Sequence, residues 1–297
     1  MVGERIGWGI LGAAHIARRA VLAAMDASSN GQIVAMASRD PRRAREMLAP
    51  YPRARVLESY EALLADPGVD AVYNPLPNSL HKKWSIRALE AGKHVLCEKP
   101  IALNAREAEE MAAAAETTGL HLMEAFMYRF HPAMRDLVER ARDAIYVDAA
   151  FGFTVRNDPD IRLMTDMGGG ALLDVGCYTV SVARWILGEP ENVTAQARMR
   201  NGVDVTTSAY LTFRGGASAS AWSSLESAEV QELTVVTRDA VLRRSRAFNS
   251  RDEHDPYQLM LESFADSVFH DRPLAIPMSE SIANMRVLDR IAAAAKA

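Results

Sequence analysis

The chain has 297 residues, of which 49% are hydrophobic and 24% are charged, as in globular proteins of one large or two ordinary domains. Its 34 basic and 38 acidic residues give a net charge of −4, which excludes the broad positive field that nucleic-acid and membrane-surface binders use. The two cysteines, Cys97 and Cys177, form neither a disulfide framework nor a zinc-binding pattern. There is also no export signal and no uncharged apolar run of about 18 residues. We therefore expect a cytoplasmic protein without a metal site or a membrane span.

The first 125 residues alternate short apolar runs, rich in β-branched residues, with amphipathic stretches of ten or so residues. This pattern predicts parallel strands joined by helices, the doubly wound architecture of the Rossmann fold. Two of the helices are expected at residues 78–91 and 104–119, with a glycine at or just after the end of each. The predicted strands are residues 5–11, 32–38, 54–57, 70–74, 93–97 and 121–124.

Beyond residue 125 the pattern changes to helices mixed with longer strands. Turn residues between the last strands predict an antiparallel meander with one face open to a partner or a substrate. Helices are predicted near residues 132–142, 171–187, 255–270 and 279–295, and strands at 145–156, 191–200, 203–214, 217–224 and 230–244.

The turn after the first strand carries a nucleotide-binding pattern. Residues 7–12 match G-x-G-x-x-G literally but lie inside the predicted strand, whereas residues 12–17 follow the strand and open a helix, as phosphate binding requires. Gly12 makes the tight turn, and alanines stand at the two later glycine positions. A plain strand-to-helix turn without a ligand is the alternative. The residues of this predicted phosphate loop are Gly12, Ala13, Ala14, His15 and Ile16.

The second strand ends in Ser38 and Arg39, where NAD-specific folds commonly place an acid that binds the ribose hydroxyls. A serine hydroxyl and a guanidinium can both bind a 2′-phosphate, so this strand end favours NADP. Asp40 follows directly, and with it NAD remains a second cofactor that fits the site. The alternative is that Arg39, Arg42 and Arg43 only form a solvated helix start.

Polar residues also follow the next strands, at the sheet edge where parallel-sheet enzymes bind their ligands. The stiff turn Asn74-Pro-Leu-Pro-Asn-Ser-Leu-His comes after the fourth strand and Glu98-Lys-Pro after the fifth. In the second half, Asp174 and Tyr178 are four residues apart and so share one helix face. A neighbouring ammonium stabilises a phenolate and lowers its pKa, and Lys99 is the candidate neighbour for Tyr178. The structural alternatives are a solvated Glu-Lys pair, a capping histidine at 81 and a packed aromatic at 178.

In combination, these motifs resemble the glucose-fructose oxidoreductase, inositol dehydrogenase and MocA family, in its branch of dimeric dihydrodiol dehydrogenases and NADP-dependent aldose dehydrogenases. The resemblance implies a Rossmann domain, a C-terminal α/β domain with an open, mostly antiparallel sheet, and a homodimer formed through that sheet. We therefore divide the chain into an NADP-binding domain (1–125), a substrate and oligomerisation domain (126–278) and a final helix (279–297) packing back on the first. The segments that carry the resemblance are Trp8-Gly-Ile-Leu-Gly-Ala-Ala, Asn74-Pro-Leu-Pro-Asn-Ser-Leu-His, Gly92-Lys-His-Val-Leu-Cys-Glu-Lys-Pro, Met123-Glu-Ala-Phe-Met-Tyr-Arg-Phe-His-Pro and Gly168-Gly-Gly-Ala-Leu-Leu-Asp-Val-Gly-Cys-Tyr.

The resemblance also implies roles for single residues. Lys99 would lie near the nicotinamide and the substrate hydroxyl, Tyr178 would be the acid/base, and Asp174 would orient the substrate. Arg156 and Tyr257 are further candidates for the substrate pocket, with the loop at residues 151–162 lining it. The expected cofactor contacts, besides the phosphate loop, are Ser38, Arg39, Leu76, Asn78, His81, Glu98, Lys99, Met127 and Arg129.

The sequence therefore predicts an NADP-dependent oxidoreductase that transfers hydride between the nicotinamide and a hydroxyl of a sugar or related cyclic alcohol. No nucleic-acid or membrane partner is expected. Three alternatives stay open: an aldose-aldose type oxidoreductase with a tightly bound cofactor, a trans-dihydrodiol dehydrogenase, and a non-catalytic regulator that senses NADP or a sugar. Xylose, glucose, an inositol and an anhydro-sugar are all candidate substrates.

Overall fold

The computed structural model describes residues 5–156 and 159–296. Contacts group the chain into two units. The first takes in the chain up to Ile101, Glu107–Phe130 and Glu253–Ser281, and the second takes in Ala102–Arg106, His131–Asp252 and the chain from Ile282 onward. Residues 157 and 158 of the predicted substrate loop lie outside the described part.

The first unit contains a six-stranded sheet. Its strands are β1 (Ile6–Leu11), β2 (Gly31–Ala37), β3 (Arg55–Leu57), β4 (Ala71–Asn74), β5 (His94–Cys97) and β6 (Leu122–Glu124). They lie in the order β3-β2-β1-β4-β5-β6, and all pairs are parallel, which confirms the predicted Rossmann architecture. The strands β2 and β3 lie on one side of β1, and the strands from β4 onward lie on its other side. Sheets of this kind bind their ligands at the carboxyl ends of the strands, at the point where the strand order reverses. A Cβ atom on Gly9 would lie 2.7 Å from the Leu63 side chain, so the glycine at this position of β1 leaves room for that leucine to pack against the strand.

Helices follow the strands as crossover connections require. A π-helical turn at Ala17–Val21 leads into the first of them, a widening that the sequence did not predict. The α-helices of the described residues are α1 (Leu22–Ala27), α2 (Pro41–Leu48), α3 (Tyr60–Leu64), α4 (His81–Glu90), α5 (Ala105–Thr118), α6 (Pro132–Arg140), α7 (Cys177–Leu187), α8 (Pro256–His270) and α9 (Met278–Ala294).

The last two helices are distributed differently from the prediction. It is α8, not the final helix, that belongs to the first unit, where Phe264 packs against Trp8 with ring centroids 5.5 Å apart. Most of α9 belongs to the second unit, where Asn284 Nδ2 donates a hydrogen bond to the Cys177 carbonyl at 3.2 Å. Both helices are amphipathic, so the sequence pattern alone does not decide which core receives which helix.

The second unit contains a mixed, mostly antiparallel sheet of six strands. These are β7 (Ala144–Thr154), β8 (Pro190–Arg200), β9 (Val203–Phe213), β10 (Ser218–Ser224), β11 (Glu226–Thr237) and β12 (Val241–Ser245). Their order is β12-β11-β7-β10-β9-β8, with β7 parallel to β10 and the other pairs antiparallel. The predicted meander is therefore wrong at one point, because β7 lies between β10 and β11. The single strand predicted at 230–244 is also two strands, joined by a turn in which Thr237 Oγ1 accepts the Ala240 N–H at 3.0 Å.

One face of this sheet is buried and the other is open, as the alternation predicted. On β9, Val205, Ala209 and Leu211 are buried, whereas Ser208 and Tyr210 are exposed. The segment Thr165–Leu187, which contains α7, is long and apolar enough to cross a membrane by length and composition, but 72% of its most apolar window is buried within the protein. That burial is typical of a core helix.

Candidate active site

The turn after β1 has the geometry of a phosphate-binding loop. Gly12 has a φ of +81°, a left-handed conformation that favours glycine, and its N–H donates to the Ala37 carbonyl at 2.7 Å. A Cβ atom here would lie 2.9 Å from the Leu76 side chain. Ala13, Ala14, His15 and Ile16 follow, and helical structure begins at His15, so a helix N-terminus opens directly after the glycine turn. These residues fit the diphosphate of a dinucleotide.

The end of β2 also fits the predicted cofactor. Asp40 Oδ1 accepts the backbone N–H groups of Arg42 and Arg43 at 3.0 and 3.2 Å and so caps α2. The Asp40 N–H in turn donates to Ser38 Oγ at 3.1 Å. The one acid at this strand end is therefore committed to a helix cap, whereas Arg39 is exposed and forms no ion pair within residues 5–156 and 159–296. This arrangement suits a 2′-phosphate better than it suits an unmodified ribose.

A tyrosine that the sequence analysis did not single out, Tyr60, lies beside this site. Its hydroxyl oxygen is 3.5 Å from the position of a Cβ atom on Gly12, and its ring packs edge-on against Trp84 with centroids 4.8 Å apart. Burial raises the pKa of Tyr60, although the charge of Arg39 opposes this, so the hydroxyl is a neutral donor. The sequence feature that could have identified Tyr60 is its position directly after Ser59, which caps α3 just beyond the end of β3. A three-residue strand made that position hard to recognise.

The turn after β4 is fixed by buried polar side chains. Asn74 donates from Nδ2 to Ser85 Oγ at 3.1 Å and accepts the Leu76 N–H at 3.3 Å. The His81 ring is fully buried, with Nδ1 2.8 Å from the Pro100 carbonyl oxygen and Nε2 2.7 Å from the Leu76 carbonyl oxygen. Burial lowers the pKa of His81 to about 4 and outweighs the two carbonyl groups, which raise it. The His81 ring thus lies between two loops inside the protein, and its contact with the cofactor stays a prediction.

The Glu98-Lys99-Pro100 segment follows β5 and is held on both sides. Tyr73 donates from its hydroxyl to Glu98 Oε1 at 2.6 Å. Beyond Pro100, the N–H of Ile101 donates to Oε1 of the fully buried Glu124 at 2.9 Å. Burial raises the pKa of Glu124 to about 7, against the hydrogen bonds and the charges of Arg129 and Lys99 that lower it. A buried carboxyl that titrates near neutral pH therefore accepts a hydrogen bond from the backbone of Ile101, two residues after Lys99.

The remaining cofactor candidates of the first unit lie on loops close to strand ends. Asn78 is half-buried in a short 3₁₀ turn before α4, and Met127, after β6, is almost fully buried. Arg129 pairs with Glu280 at 3.6 Å. Tyr257 lies in the first turn of α8, where its N–H donates to Asp255 Oδ1 at 2.9 Å.

In the second unit, Asp174 and Tyr178 lie on one continuous helical segment. Asp174 belongs to a π-helical turn, Leu172–Gly176, which the sequence did not predict, and Tyr178 to the first turn of α7. The Tyr178 ring packs against the rings of Phe151 and Phe248, with centroids 5.4 and 5.6 Å away. The predicted pair is thus presented from a rigid element, and two aromatic rings fix the direction of the Tyr178 side chain.

Asp174 has an arginine partner that the sequence analysis did not identify. Arg162 donates from Nε to Asp174 Oδ2 at 3.1 Å and from Nη1 to Asp160 Oδ2 at 3.1 Å. Arg156 lines a cavity of about 340 Å³ together with Asp160 and Arg200. No group of three or more His, Cys, Asp or Glu side chains that could hold a metal occurs among the described residues. The second unit therefore brings Arg162 to a predicted substrate-binding carboxylate.

Family models match most of the chain. Residues 6–126 match the model of an oxidoreductase family with an NAD-binding Rossmann fold, and residues 134–243 match that of the GFO/IDH/MocA C-terminal domain. The chain belongs to the GFO/IDH/MocA family. The predicted resemblance is thereby confirmed, and members of this family are oxidoreductases.

Relatives of this GFO/IDH/MocA protein match it over about three quarters of its length or more. It is 38% identical to a D-xylose 1-dehydrogenase (NADP⁺) of Haloferax volcanii, covering 96% of this chain and 95% of the relative. It is 39% identical to the mouse trans-1,2-dihydrobenzene-1,2-diol dehydrogenase, covering 74% and 68%. A Tyr→Phe variant of a 3-ketoreductase from Actinomadura kijaniata, solved with TDP-benzene and NADP, superposes with a TM-score of 0.92 at 31% identity over 98% of both chains.

Proposed function

We propose that this GFO/IDH/MocA oxidoreductase uses NADP to oxidise and reduce a hydroxyl-bearing carbon of a sugar or related cyclic alcohol, with Lys99, Tyr178 and Asp174 acting on the substrate. The observation that carries the cofactor assignment is the commitment of Asp40 to the α2 cap, which leaves Ser38 and Arg39 for a 2′-phosphate. The substrate class is supported by the sugar and dihydrodiol dehydrogenases that the chain resembles over most of its length.

The phosphate loop and the strand ends of the first unit would hold the cofactor. Backbone N–H groups from Gly12 to Ile16 would bind the diphosphate at the helix N-terminus. The stiff turn at Leu76 and Asn78 and the carboxylate of Glu98 would bind the nicotinamide half. When bound, the nicotinamide supplies the acceptor for the hydride that leaves the substrate carbon.

The chain's own residues would manage the proton and the charge. In the oxidation direction, the Tyr178 phenolate oxygen takes the proton of the substrate hydroxyl, and in reduction it returns the proton to the same oxygen. The Lys99 ammonium favours the phenolate and stabilises negative charge on the substrate oxygen. Asp174 accepts a hydrogen bond from a neighbouring substrate hydroxyl and so fixes the ring relative to the reacting carbon. Met127, Arg129, Arg156 and Tyr257 remain proposed contacts at the edge of this site.

A panel of aldoses, inositols and trans-dihydrodiols, each assayed for NADP and NAD reduction at 340 nm, tests this function. We expect turnover of at least one sugar, with NADP preferred over NAD. Inactivity of the whole panel with both cofactors would contradict the proposal. Gel filtration of the enzyme after incubation with NADP tests whether the cofactor is released. A cofactor that stays bound, without steady-state release, would point instead to a cycle in which one sugar is oxidised and another is reduced.

We also propose a homodimer formed through the open face of the second sheet. That face presents aromatic side chains to solvent, with Tyr210 47% exposed and Trp222 half-buried opposite Ser208. Aromatic residues are enriched in protein interfaces. Size-exclusion chromatography with light scattering should give twice the chain mass for the native protein and monomers for Tyr210→Glu. A charge placed on the first unit, Ala91→Glu, should leave the mass unchanged, and a native monomer would contradict the proposal.

The cytoplasm remains the proposed compartment. Cys97 and Cys177 are both buried and form no disulfide, a state that a reducing compartment preserves. Their burial also supports packing rather than reactivity, and burial raises the pKa of Cys97 well above its usual value.

A further inference from the structure

Arg162 is attached to the Asp174 helix through its backbone as well as through its side chain. The Arg162 carbonyl oxygen accepts the Gly170 N–H at 2.9 Å, and the Gly170 carbonyl accepts the Asp174 N–H at 3.0 Å. A Cβ atom on Gly169 would lie 2.5 Å from the Arg162 carbonyl oxygen, so the glycine-rich turn is what permits this approach. These backbone hydrogen bonds therefore place Arg162 close to Asp174.

The side-chain contacts then use two different edges of the guanidinium. Nε donates to Asp174, and Nη1 donates to both oxygens of Asp160, at 3.2 and 3.1 Å. Asp160 itself is held in place, because it accepts the Arg162 N–H at 2.9 Å and caps the 3₁₀ turn Ile161–Leu163. The Phe153 ring lies 5.6 Å from the guanidinium carbon. A planar guanidinium held at several points cannot turn without breaking one of these contacts.

Charge balance favours the same arrangement. Asp174 and Asp160 side chains are only 18% and 17% exposed, so water screens the pairs less than it screens surface ion pairs. Partial burial opposes the Arg162 charge, but the two carboxylates raise the pKa of Arg162 above its usual value. The arginine therefore stays charged over the whole working range of pH.

We propose that Arg162 is a positioning residue that fixes the Asp174 carboxylate in the orientation in which it receives one substrate hydroxyl, and that it thereby sets which epimers the enzyme accepts. This inference rests on the proposed function, because it takes Asp174 as the group that binds the substrate. A carboxylate that can rotate accepts a hydroxyl from several directions, whereas one oxygen held by Nε leaves a fixed direction of approach. Two epimers differ in the direction of one hydroxyl group. An Asp174 carboxylate with a fixed orientation therefore binds one epimer better than the other.

Steady-state kinetics with the best substrate of the panel and an epimer of it, such as D-xylose and its C2 epimer D-lyxose, test the proposal in Arg162→Lys, Arg162→Ala and Asp174→Asn. We expect kcat/KM for the preferred epimer to fall about 10- to 100-fold in all three, with a smaller fall for the other epimer, so that discrimination shrinks. Asp160→Asn keeps the Arg162–Asp174 pair but weakens the second contact that holds Arg162, so we expect a smaller loss of discrimination than in Arg162→Ala. Arg142→Ala, which removes an arginine from an exposed pair with Glu139, is the matched control.

A second readout separates positioning from folding. Millimolar guanidinium should restore discrimination to Arg162→Ala, whereas equal concentrations of urea or sodium chloride should not, and NADP affinity measured by fluorescence should stay unchanged. Equal losses for both epimers without guanidinium rescue, or wild-type discrimination in Arg162→Ala beside an impaired Asp174→Asn, would overturn the proposal. If Asp174→Asn itself keeps full discrimination in an active enzyme, the role of Asp174 in the proposed function fails, and the role of Arg162 fails with it.

Discussion

The imidazole of His81 lies 2.8 Å from the Pro100 carbonyl oxygen, through Nδ1, and so joins the turn after β4 to the residue that follows Lys99. The other ring nitrogen reaches the Leu76 carbonyl at 2.7 Å. One buried side chain therefore lies between two loops that the proposed function places around the nicotinamide, and its neutral ring donates a hydrogen bond to one of the two carbonyl oxygens.

Removal of this ring should destabilise the fold. His81→Gln leaves at least one buried carbonyl without its partner, and we expect a loss of about 2 to 4 kcal/mol in urea unfolding. The exposed His270→Gln should change stability by less than about 0.5 kcal/mol. Because the folded-state pKa of about 4 lies below the unfolded value of 6.5, the contribution of His81 is complete above pH 6.5 and is lost as the pH falls through about 4. A difference from wild type that stays constant between those pH values would contradict this assignment.

Glu124 should give the opposite pH dependence. Its folded-state pKa of about 7 lies above the unfolded value of 4.5, so its stabilising contribution is complete below pH 4.5 and is lost as the pH rises through about 7. Glu124→Gln keeps an acceptor for the Ile101 N–H but cannot ionise. Relative to wild type, we expect this variant to gain on the order of 2 kcal/mol in unfolding free energy between pH 5 and pH 8. The exposed Glu90→Gln should show no such gain, and the absence of one in Glu124→Gln would refute the pKa assignment.

Arg39 should decide between the cofactors. Arg39→Gln removes a charge-assisted contact to the 2′-phosphate, so KM for NADP should rise about 10- to 100-fold while KM for NAD changes little. Arg43→Gln, on the exposed side of the α2 start, provides the comparison. Equal effects of the two substitutions would favour the solvated helix start over a phosphate site.

Tyr60 should contribute to binding of both cofactors. Its hydroxyl faces the Gly12 turn, so we expect it to bind the diphosphate, which NAD and NADP share. Tyr60→Phe should weaken both dinucleotides by about tenfold in fluorescence titrations, whereas Tyr51→Phe should weaken neither. A loss confined to NADP would place the hydroxyl at the 2′-phosphate instead, and no loss at all would remove it from the site.

The sequence predicted the parts of this protein that depend on local pattern. Alternating strands and helices, the turn at Gly12 and the polar residues at strand ends follow from the residues themselves, and the strand order of the first sheet confirms the predicted Rossmann architecture. The insertion of β7 between β10 and β11 depends on pairing between distant segments, which no local pattern contains. The attachment of α8 to the first unit has the same cause.

The same limit applies within the candidate site. Asp174 and Tyr178 were found because their spacing of four is a helical signal, whereas the partner of Asp174 is an arginine on a preceding turn. Arg162 is one of many arginines in the sequence, and only the folded glycine turn brings it to the aspartate. His81 was identified, but its burial against two carbonyl groups could be read only from the structure.

In the proposed function, Lys99 and Tyr178 together handle the proton of the substrate hydroxyl. Turnover by Lys99→Ala and Tyr178→Phe, measured with the best substrate of the panel alongside NADP affinity, tests it most directly. We expect kcat to fall about 10²- to 10⁴-fold in each variant, as for loss of a general acid/base, with NADP affinity within about threefold of wild type. Near wild-type turnover in both variants, with NADP binding intact, would show that other groups transfer this proton.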